Sequence, residues 1–283
     1  MRKIKIVADS SCDLFALNDI EFASAPMKII TDNKEFADDA SIDVDDMVDY
    51  LYRYKGESKS SCPNTGDWLD AFGDADEIFC ITITSGLSGS YNSACLAKQL
   101  YESSNEGKRV HVFDSLSAGP EITLIIEKIE DCIKKCMSYE DICHHIENYM
   151  KKTGLVFMLK SLKNFANNGR VSPVVARLVG IAGICIVGKA SDEGTLEPMH
   201  KCRGEQRSLK TLVDDIEAEG FRSGKISIGH CQNESAANQL KEMLLAKFKD
   251  VQIEIHKFRG LCSFYAEKGG VLVGFEKDCS VNL

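Results

Sequence analysis

The chain has 283 residues, enough for one large or two ordinary domains, and its 44% hydrophobic and 27% charged residues are those of a globular protein. Five prolines and the lack of any low-complexity tract exclude a fibrous or disordered chain. The 34 basic against 43 acidic residues leave a formal charge of −9, which opposes association with phosphate backbones and excludes nucleic acid as an expected partner.

Lys3 to Ala8 alternates charged and β-favouring residues, with no apolar signal-peptide core before it, and predicts a first strand. The twelve cysteines are then expected as free thiols in a reducing cytoplasm. Ala25 to Ile30 reads as a second strand. Ser41 is the expected N-cap of an amphipathic helix that carries Met47, Val48, Leu51 and Tyr54 and ends at Gly56. A short helix is predicted at Trp68 to Phe72, a buried strand at Ile78 to Ile83, a helix at Tyr91 to Tyr101 and a strand at Arg109 to Phe113. Helices follow over Glu121 to Met137 and, capped by Ser138, through Tyr149. This βαβα order predicts a parallel sheet covered on both faces, with the loops at the carboxyl ends of its strands open to ligands.

After Gly154 the pattern changes to a helix with an Asn-Asn-Gly turn, an apolar stretch at Val174 to Val187, charged strands such as Lys189 to Pro198, and a helix from Leu209. Strands are expected at Lys225 to His230, Gln252 to His256 and Gly270 to Phe275. The expected architecture is α/β in two domains: residues 1–155 with a parallel-sheet α/β/α arrangement, and residues 156–283 with a mixed or antiparallel sheet. Val174 to Val187 contains Arg177 and falls short of the ~20 apolar residues that span a bilayer, so no integral membrane segment is expected.

The strongest local signal is the run from Ile81 through Ser93, Ile-Thr-Ile-Thr-Ser-Gly-Leu-Ser-Gly-Ser-Tyr-Asn-Ser, a strand entering a Gly and hydroxyl turn before a helix. Free N–H groups and the helix dipole suit a carboxylate or phosphate there, Gly86 and Gly89 permit close approach, and Ser85 and Ser88 add neutral donors. The same residues also serve as a plain helix cap and tight turn. Neither a Walker loop nor a G-x-G-x-x-G fingerprint is present. Two further hydroxyl clusters are Asp9-Ser10-Ser11 after the first strand and Ser58-Lys-Ser-Ser-Cys-Pro before the Trp68 helix. In a parallel sheet the first of these and the Thr84 loop open at one edge.

Together these segments resemble the DegV family of fatty-acid-binding proteins, in order along nearly the whole chain. The residues that carry the resemblance are Ala8-Asp9-Ser10-Ser11-Cys-Asp-Leu, Ser60-Ser61-Cys62-Pro63 in the place of a Thr-Ser-Gln-Pro, Ile83-Thr-Ser-Gly-Leu-Ser-Gly-Ser-Tyr-Asn-Ser-Ala, Phe113-Asp-Ser-Leu-Ser-Ala-Gly and Asn168-Gly-Arg-Val-Ser. The resemblance implies a long-chain fatty acid buried between the two domains, its carboxylate bonded at Ser60 or Ser61 and at Ser88 with Gly89. It also implies a role as the binding subunit that presents the acid to the ATP-binding subunit of a fatty acid kinase, with no cofactor of its own. Ser10, Ser85 and Arg170 are implied as additional pocket residues, and Arg203 as a contact to the partner. The family's His-x-Gly-Pro-Gly segment is replaced here by Lys257-Phe258-Arg259-Gly260-Leu261-Cys262-Ser263, with Phe258 at the His position. Losing that donor either weakens the carboxylate site or hands the role to Arg259 or the nearby His256, each of which reads more simply as a satisfied surface residue.

Cys132, Cys136, Cys143, His144 and His145 lack the Cys-x-x-Cys hook of a zinc site, and the acidic stretch Asp38 to Asp49 suits a solvated helix start, so no metal is expected. Cys12 and Cys62 lie near polar loops but have no predicted catalytic base. A fatty-acid-binding protein is therefore the leading expectation. An enzyme acting on a small phosphorylated or carboxylated metabolite is the alternative, and a pure interaction protein the third.

Overall fold

The computed structural model describes residues 2–172, 175 and 183–278. Most of the apolar stretch expected at Val174 to Val187, Arg177 included, lies outside the described residues.

In the N-terminal domain, β1 (Ile4–Asp9), β2 (Glu21–Ala25), β6 (Glu77–Thr82) and β7 (Arg109–Asp114) form a four-stranded sheet in the order β2-β1-β6-β7. Every pairing in it is parallel. Its strands are apolar on both faces, as a covered parallel sheet requires. Val7, Ile78 and Cys80 pack with Trp68, Phe72 and Ala97 from α2 (Thr65–Phe72) and α3 (Ser90–Ser104). Ile6, Phe79 and Ile81 pack on the other side with Ile125, Ile129 and Ile146 from α4 (Pro120–Lys134) and α5 (Tyr139–Met150).

The predicted second strand is two. Pro26, which has no N–H to donate, separates β2 from β3 (Lys28–Thr31), and β3 joins β4 (Glu35–Ala37) and β5 (Ser58–Ser61) in a small antiparallel sheet. The Ser58 cluster is thus largely a strand. The amphipathic helix, α1 (Val44–Arg53), is capped by Asp43, which accepts the Asp46 N–H at 2.9 Å, and not by Ser41. The Ser41 hydroxyl instead donates to Asp39 at 2.6 Å.

The C-terminal domain is built on a six-stranded mixed sheet in the order β10-β9-β8-β13-β11-β12. The strands are β8 (Thr153–Leu159), β9 (Ile184–Ala190), β10 (Leu196–Arg203), β11 (Gly224–His230), β12 (Val251–Lys257) and β13 (Val271–Glu276). Only β11 and β12 pair in parallel. Lys189 to Pro198, expected as one strand, is instead the tip of the β9–β10 hairpin, turned by Asp192-Glu193-Gly194 with Gly194 at φ +70°. One face, with Val156, Met158, Ile226 and Val273, packs on α7 (Glu205–Ala218) and α8 (Glu234–Lys247). The alternate residues Leu155, Phe157, Leu159 and Leu272 face the other way and line a cavity. Two short helices adjoin that face: α6 (Lys163–Asn167) and α9 (Gly260–Ala266). α9 packs on β3 and on the 3-10 turn Ser10–Cys12, so the end of the chain returns to the first domain. Neither α8 nor α9 was expected from the sequence.

Candidate functional site

The carboxyl ends of β1 and β6 are tied together by one buried carboxylate. Asp9, the last residue of β1, accepts the Ser11 N–H at 3.2 Å and the Ser11 hydroxyl on Oδ1. On Oδ2 it accepts the Ile83 N–H at 2.9 Å and the Ser90 hydroxyl at 2.6 Å. Burial raises this carboxyl above its ordinary range, and the bonds from Ser11 and Ser90 pull it back. Ser90 opens α3, so Asp9 fixes both ends of the loop from Ile83 to Ser90. Thr84 anchors its middle: its N–H donates to the Ser117 carbonyl at 2.9 Å and its hydroxyl accepts the Gly86 N–H at 3.1 Å.

Between this loop and the second sheet lies a cavity of about 260 Å³. Its hydroxyl groups come from β5, the strand-end loops and the β9–β10 tip: Ser60, Ser61, Thr84, Ser88, Ser117 and Thr195, with Tyr265 from α9. Its apolar wall comes chiefly from Leu155, Phe157 and Leu159 of β8, Phe165 of α6, Leu261 of α9 and Leu272 of β13.

Of the residues expected from sequence, Ser60, Ser61, Ser88, Gly89 and Arg170 all line this one cavity. The Ser60 hydroxyl lies 2.7 Å from that of Tyr265, and its N–H donates to Asn168 Oδ1 at 3.2 Å. Asn168 also donates to the carbonyls of Ser58 and Asn164, at 3.2 and 2.8 Å, and so pins β5 to α6. Ser88 Oγ accepts the Ser90 N–H at 3.2 Å. Gly89 is the exposed N-cap of α3, with Cys62 so near that a Cβ on Gly89 would lie 3.4 Å from its sulfur. Arg170, exposed at the rim, donates to the Asn168 carbonyl at 3.0 Å.

The remaining expected residues are placed elsewhere. Ser10 is fully buried and accepts the Met27 N–H at 3.1 Å. Ser85 is exposed, its N–H on Asp114 at 3.0 Å. Phe258, expected where a head-group donor is lost, belongs to the apolar cluster that joins the two domains, with Ile29, Met47 and Phe157; its ring packs over Gly229 and edge-on to His256, outside the cavity. Arg259 is 2% exposed and committed to the first domain, with its guanidinium on the carbonyls of Leu14 and Asp38 and on Ser24 Oγ at 3.0 Å. Neither Phe258 nor Arg259 lines the cavity. Arg203 is exposed at the end of β10, also away from it.

Sequence reasoning missed Tyr265 and Asn168 as cavity-shaping residues. A signal for Tyr265 existed: Leu261, Cys262, Tyr265 and Ala266 follow helical spacing and all face the cavity. Cys62 and Cys262 also line it, and burial pushes both thiols up, away from the reactive thiolate. Among the described residues no group of three or more His, Cys, Asp or Glu is arranged to hold a metal ion, and no helix is long and apolar enough to cross a membrane.

The profile of the DegV family, whose proteins it describes as uncharacterised, matches residues 3–278. A DegV domain-containing protein of Streptococcus pneumoniae is 42% identical over 278 residues, covering 97% of this chain and 99% of that protein. The S. pneumoniae Fatty Acid Kinase (Fak) B3 protein, solved loaded with linoleic acid, superposes with a TM-score of 0.95 at 42% identity, over 98% of this chain and all of that one. A DegV family protein from Eubacterium eligens, loaded with heptadecanoic acid, gives a TM-score of 0.93 at 42% identity over 97% of this chain and 100% of that chain. Matched from Lys3 to Asp278, the chain belongs to the DegV family.

Proposed function

We propose that this protein binds a long-chain fatty acid in the cavity between its two sheets and presents the carboxyl group to a separate ATP-dependent fatty acid kinase. The observation that carries this reading is a single cavity with an apolar wall from β8, β13 and α6 and a cluster of neutral hydroxyls from β5 and the Thr84 loop. A long apolar tail suits that wall, since each buried CH₂ contributes ~0.8 kcal/mol. Neutral donors suit the head group: they hold a carboxylate while leaving it nucleophilic toward a phosphoryl group. The proteins from S. pneumoniae and E. eligens, each 42% identical to this chain, were solved with linoleic and heptadecanoic acid. The name of the former places it in a fatty acid kinase system.

In this reading Ser60, Ser61, Ser88 and Gly89 hold the carboxylate and Arg170 stands at the mouth. Catalysis belongs to the kinase, and Arg203 on the exposed end of β10 is the contact offered to it. A division of the chain near residue 155, and residence in the cytoplasm, where the eleven described cysteines stay as free thiols, belong to the same reading. The wall favours this over a small phosphorylated or carboxylated metabolite, which would leave Leu155, Phe157, Phe165 and Leu272 unfilled.

Mass spectrometry of the denatured protein should find a co-purifying acyl chain, and the delipidated protein should bind linoleic or heptadecanoic acid saturably. The absence of both a co-purifying acyl chain and saturable binding would overturn the reading. With an ATP-binding kinase subunit added, ATP consumption should depend on both the acid and this protein.

A further inference from the structure

Three observations converge on Tyr265, a cavity residue outside the sequence motifs. Its hydroxyl lies 2.7 Å from Ser60 Oγ, across 205 residues of chain, so two O–H groups from different domains stand side by side at the cavity wall. Its ring packs against Phe165 at 4.7 Å between centroids and against Phe264 at 4.9 Å, which fixes where the hydroxyl points. Asn168 holds the partner strand, through the Ser60 N–H and the Ser58 carbonyl, in the position that keeps the two hydroxyls adjacent.

A lone Ser–Tyr hydrogen bond uses one of the two available protons, and the second O–H needs an acceptor. A carboxylate, which has two acceptor oxygens and no donor, takes both when it enters between or beside them. A phenol is the stronger donor of the pair, because its proton is far more acidic than that of a serine hydroxyl. Burial pushes the Tyr265 phenol up, against the opposing pull of Ser60 and the Arg170 charge, so it remains a protonated, neutral donor throughout the physiological range.

We propose that Tyr265 is a specificity-determining head-group residue, which together with Ser60 closes a two-hydroxyl clamp on the ligand carboxylate and selects the free acid over its uncharged derivatives. The assignment rests on the fatty-acid reading above and names a donor that reading did not include. Both clamp groups are neutral hydroxyls, so the clamp itself contains no group that changes charge between about pH 6 and 8.

The test compares the unaltered, delipidated protein with Tyr265→Phe and Tyr265→His, using linoleic acid and its methyl ester as probes. Tyr265→Phe keeps the ring packing and removes the hydroxyl. It should weaken binding of the acid by about tenfold to a hundredfold while changing the ester far less. Tyr265→His should favour pH 6 over pH 8 for the acid more strongly than the unaltered protein does. Acid affinity within twofold in Tyr265→Phe, or an equal loss for acid and ester, would overturn the clamp and leave Tyr265 a packing residue. Failure of the unaltered protein to bind the acid at all would overturn the fatty-acid reading itself, and the clamp with it.

Discussion

Arg259 and Asp38 are buried against each other, 2% and 0% exposed, although 221 residues of chain separate them. The guanidinium donates to the Asp38 carbonyl, and Nε stands 3.4 Å from the carboxylate. That carboxylate also accepts the N–H groups of Gly260 and Leu261, each at 2.8 Å, and so holds the first turn of α9. Since α9 carries Leu261, Cys262 and Tyr265 to the cavity, a pair remote from the ligand fixes one of its walls.

Arg259→Met should therefore cost about 3–5 kcal/mol in urea unfolding, the usual penalty for leaving a buried carboxylate without its counter-charge. Arg259→Lys should recover only part, since an ammonium cannot reach Leu14, Ser24 and Asp38 together as the forked guanidinium does. A loss under ~1 kcal/mol, typical of an exposed pair, would show that the contact does not hold α9 in place.

Asp13 gives the same junction a pH dependence. It accepts the Arg259 N–H at 2.6 Å, and burial pushes the group from 3.8 up to about 8. The Arg259 N–H, the Cys262 thiol and the Arg259 charge pull it down, and the Asp38 charge pushes it up. Between those two values the folded protein holds a proton that the unfolded chain has released, so stability falls as pH rises and levels off above about 8. Thermal unfolding of the unaltered protein should show that decline between pH 5 and 8.5 on the scale of a carboxyl titration. Asp13→Asn should flatten it, and an identical slope in the variant would remove Asp13 as its source.

The parallel sheet was legible because its strands and helices alternate and its cores follow period 2 and period 3.6, as at Ile6, Val7 and Ala8 or at Ile122, Ile125 and Ile129. The cavity-lining serines were legible through ordered motifs around Ser60 and Ser88. Tyr265 was not, because its role depends on a strand 205 residues away and its short helix sits in a segment that reads as a loop. Arg259 misled for a related reason: a cation near a motif reads as a ligand group, and only its partners Asp13, Leu14, Ser24 and Asp38 show it to be spoken for.

The β9–β10 tip offers a test of closure. Gly194 has φ +70° and approaches the Thr84 loop so closely that a Cβ on it would lie 2.0 Å from Thr84 Oγ1 and 2.9 Å from Leu116 Cα. Gly86 meets the same tip from the other side, its own Cβ position 2.7 Å from the Glu193 carbonyl. Gly194 and Thr195 line the cavity, so this contact seals part of its wall. Gly194→Ala combines a strained backbone, roughly 1–2 kcal/mol, with a clash that pushes the tip outward. Dissociation of bound fatty acid into acceptor vesicles should quicken several-fold. Lost stability with an unchanged dissociation rate would mean that the tip is not a closure.

Ser90 separates loop placement from direct ligand contact. It is fully buried, does not line the cavity, and gives its hydroxyl to Asp9 at 2.6 Å. Ser90→Ala leaves the Asp9 carboxylate one donor short in a buried place, which costs about 1.5–3 kcal/mol for a bond to a charged group. The Ser90 N–H to Ser88 Oγ is a backbone bond and survives the substitution, but the carboxylate that holds the loop between β6 and α3 is weakened. Fatty-acid affinity should therefore fall together with stability, whereas Ser88→Ala, which removes a cavity hydroxyl and a part-buried acceptor of one backbone N–H, should lower affinity at a smaller cost to the unfolding midpoint of the ligand-free protein. Equal stability losses in the two variants would contradict this separation of a supporting serine from a contacting one.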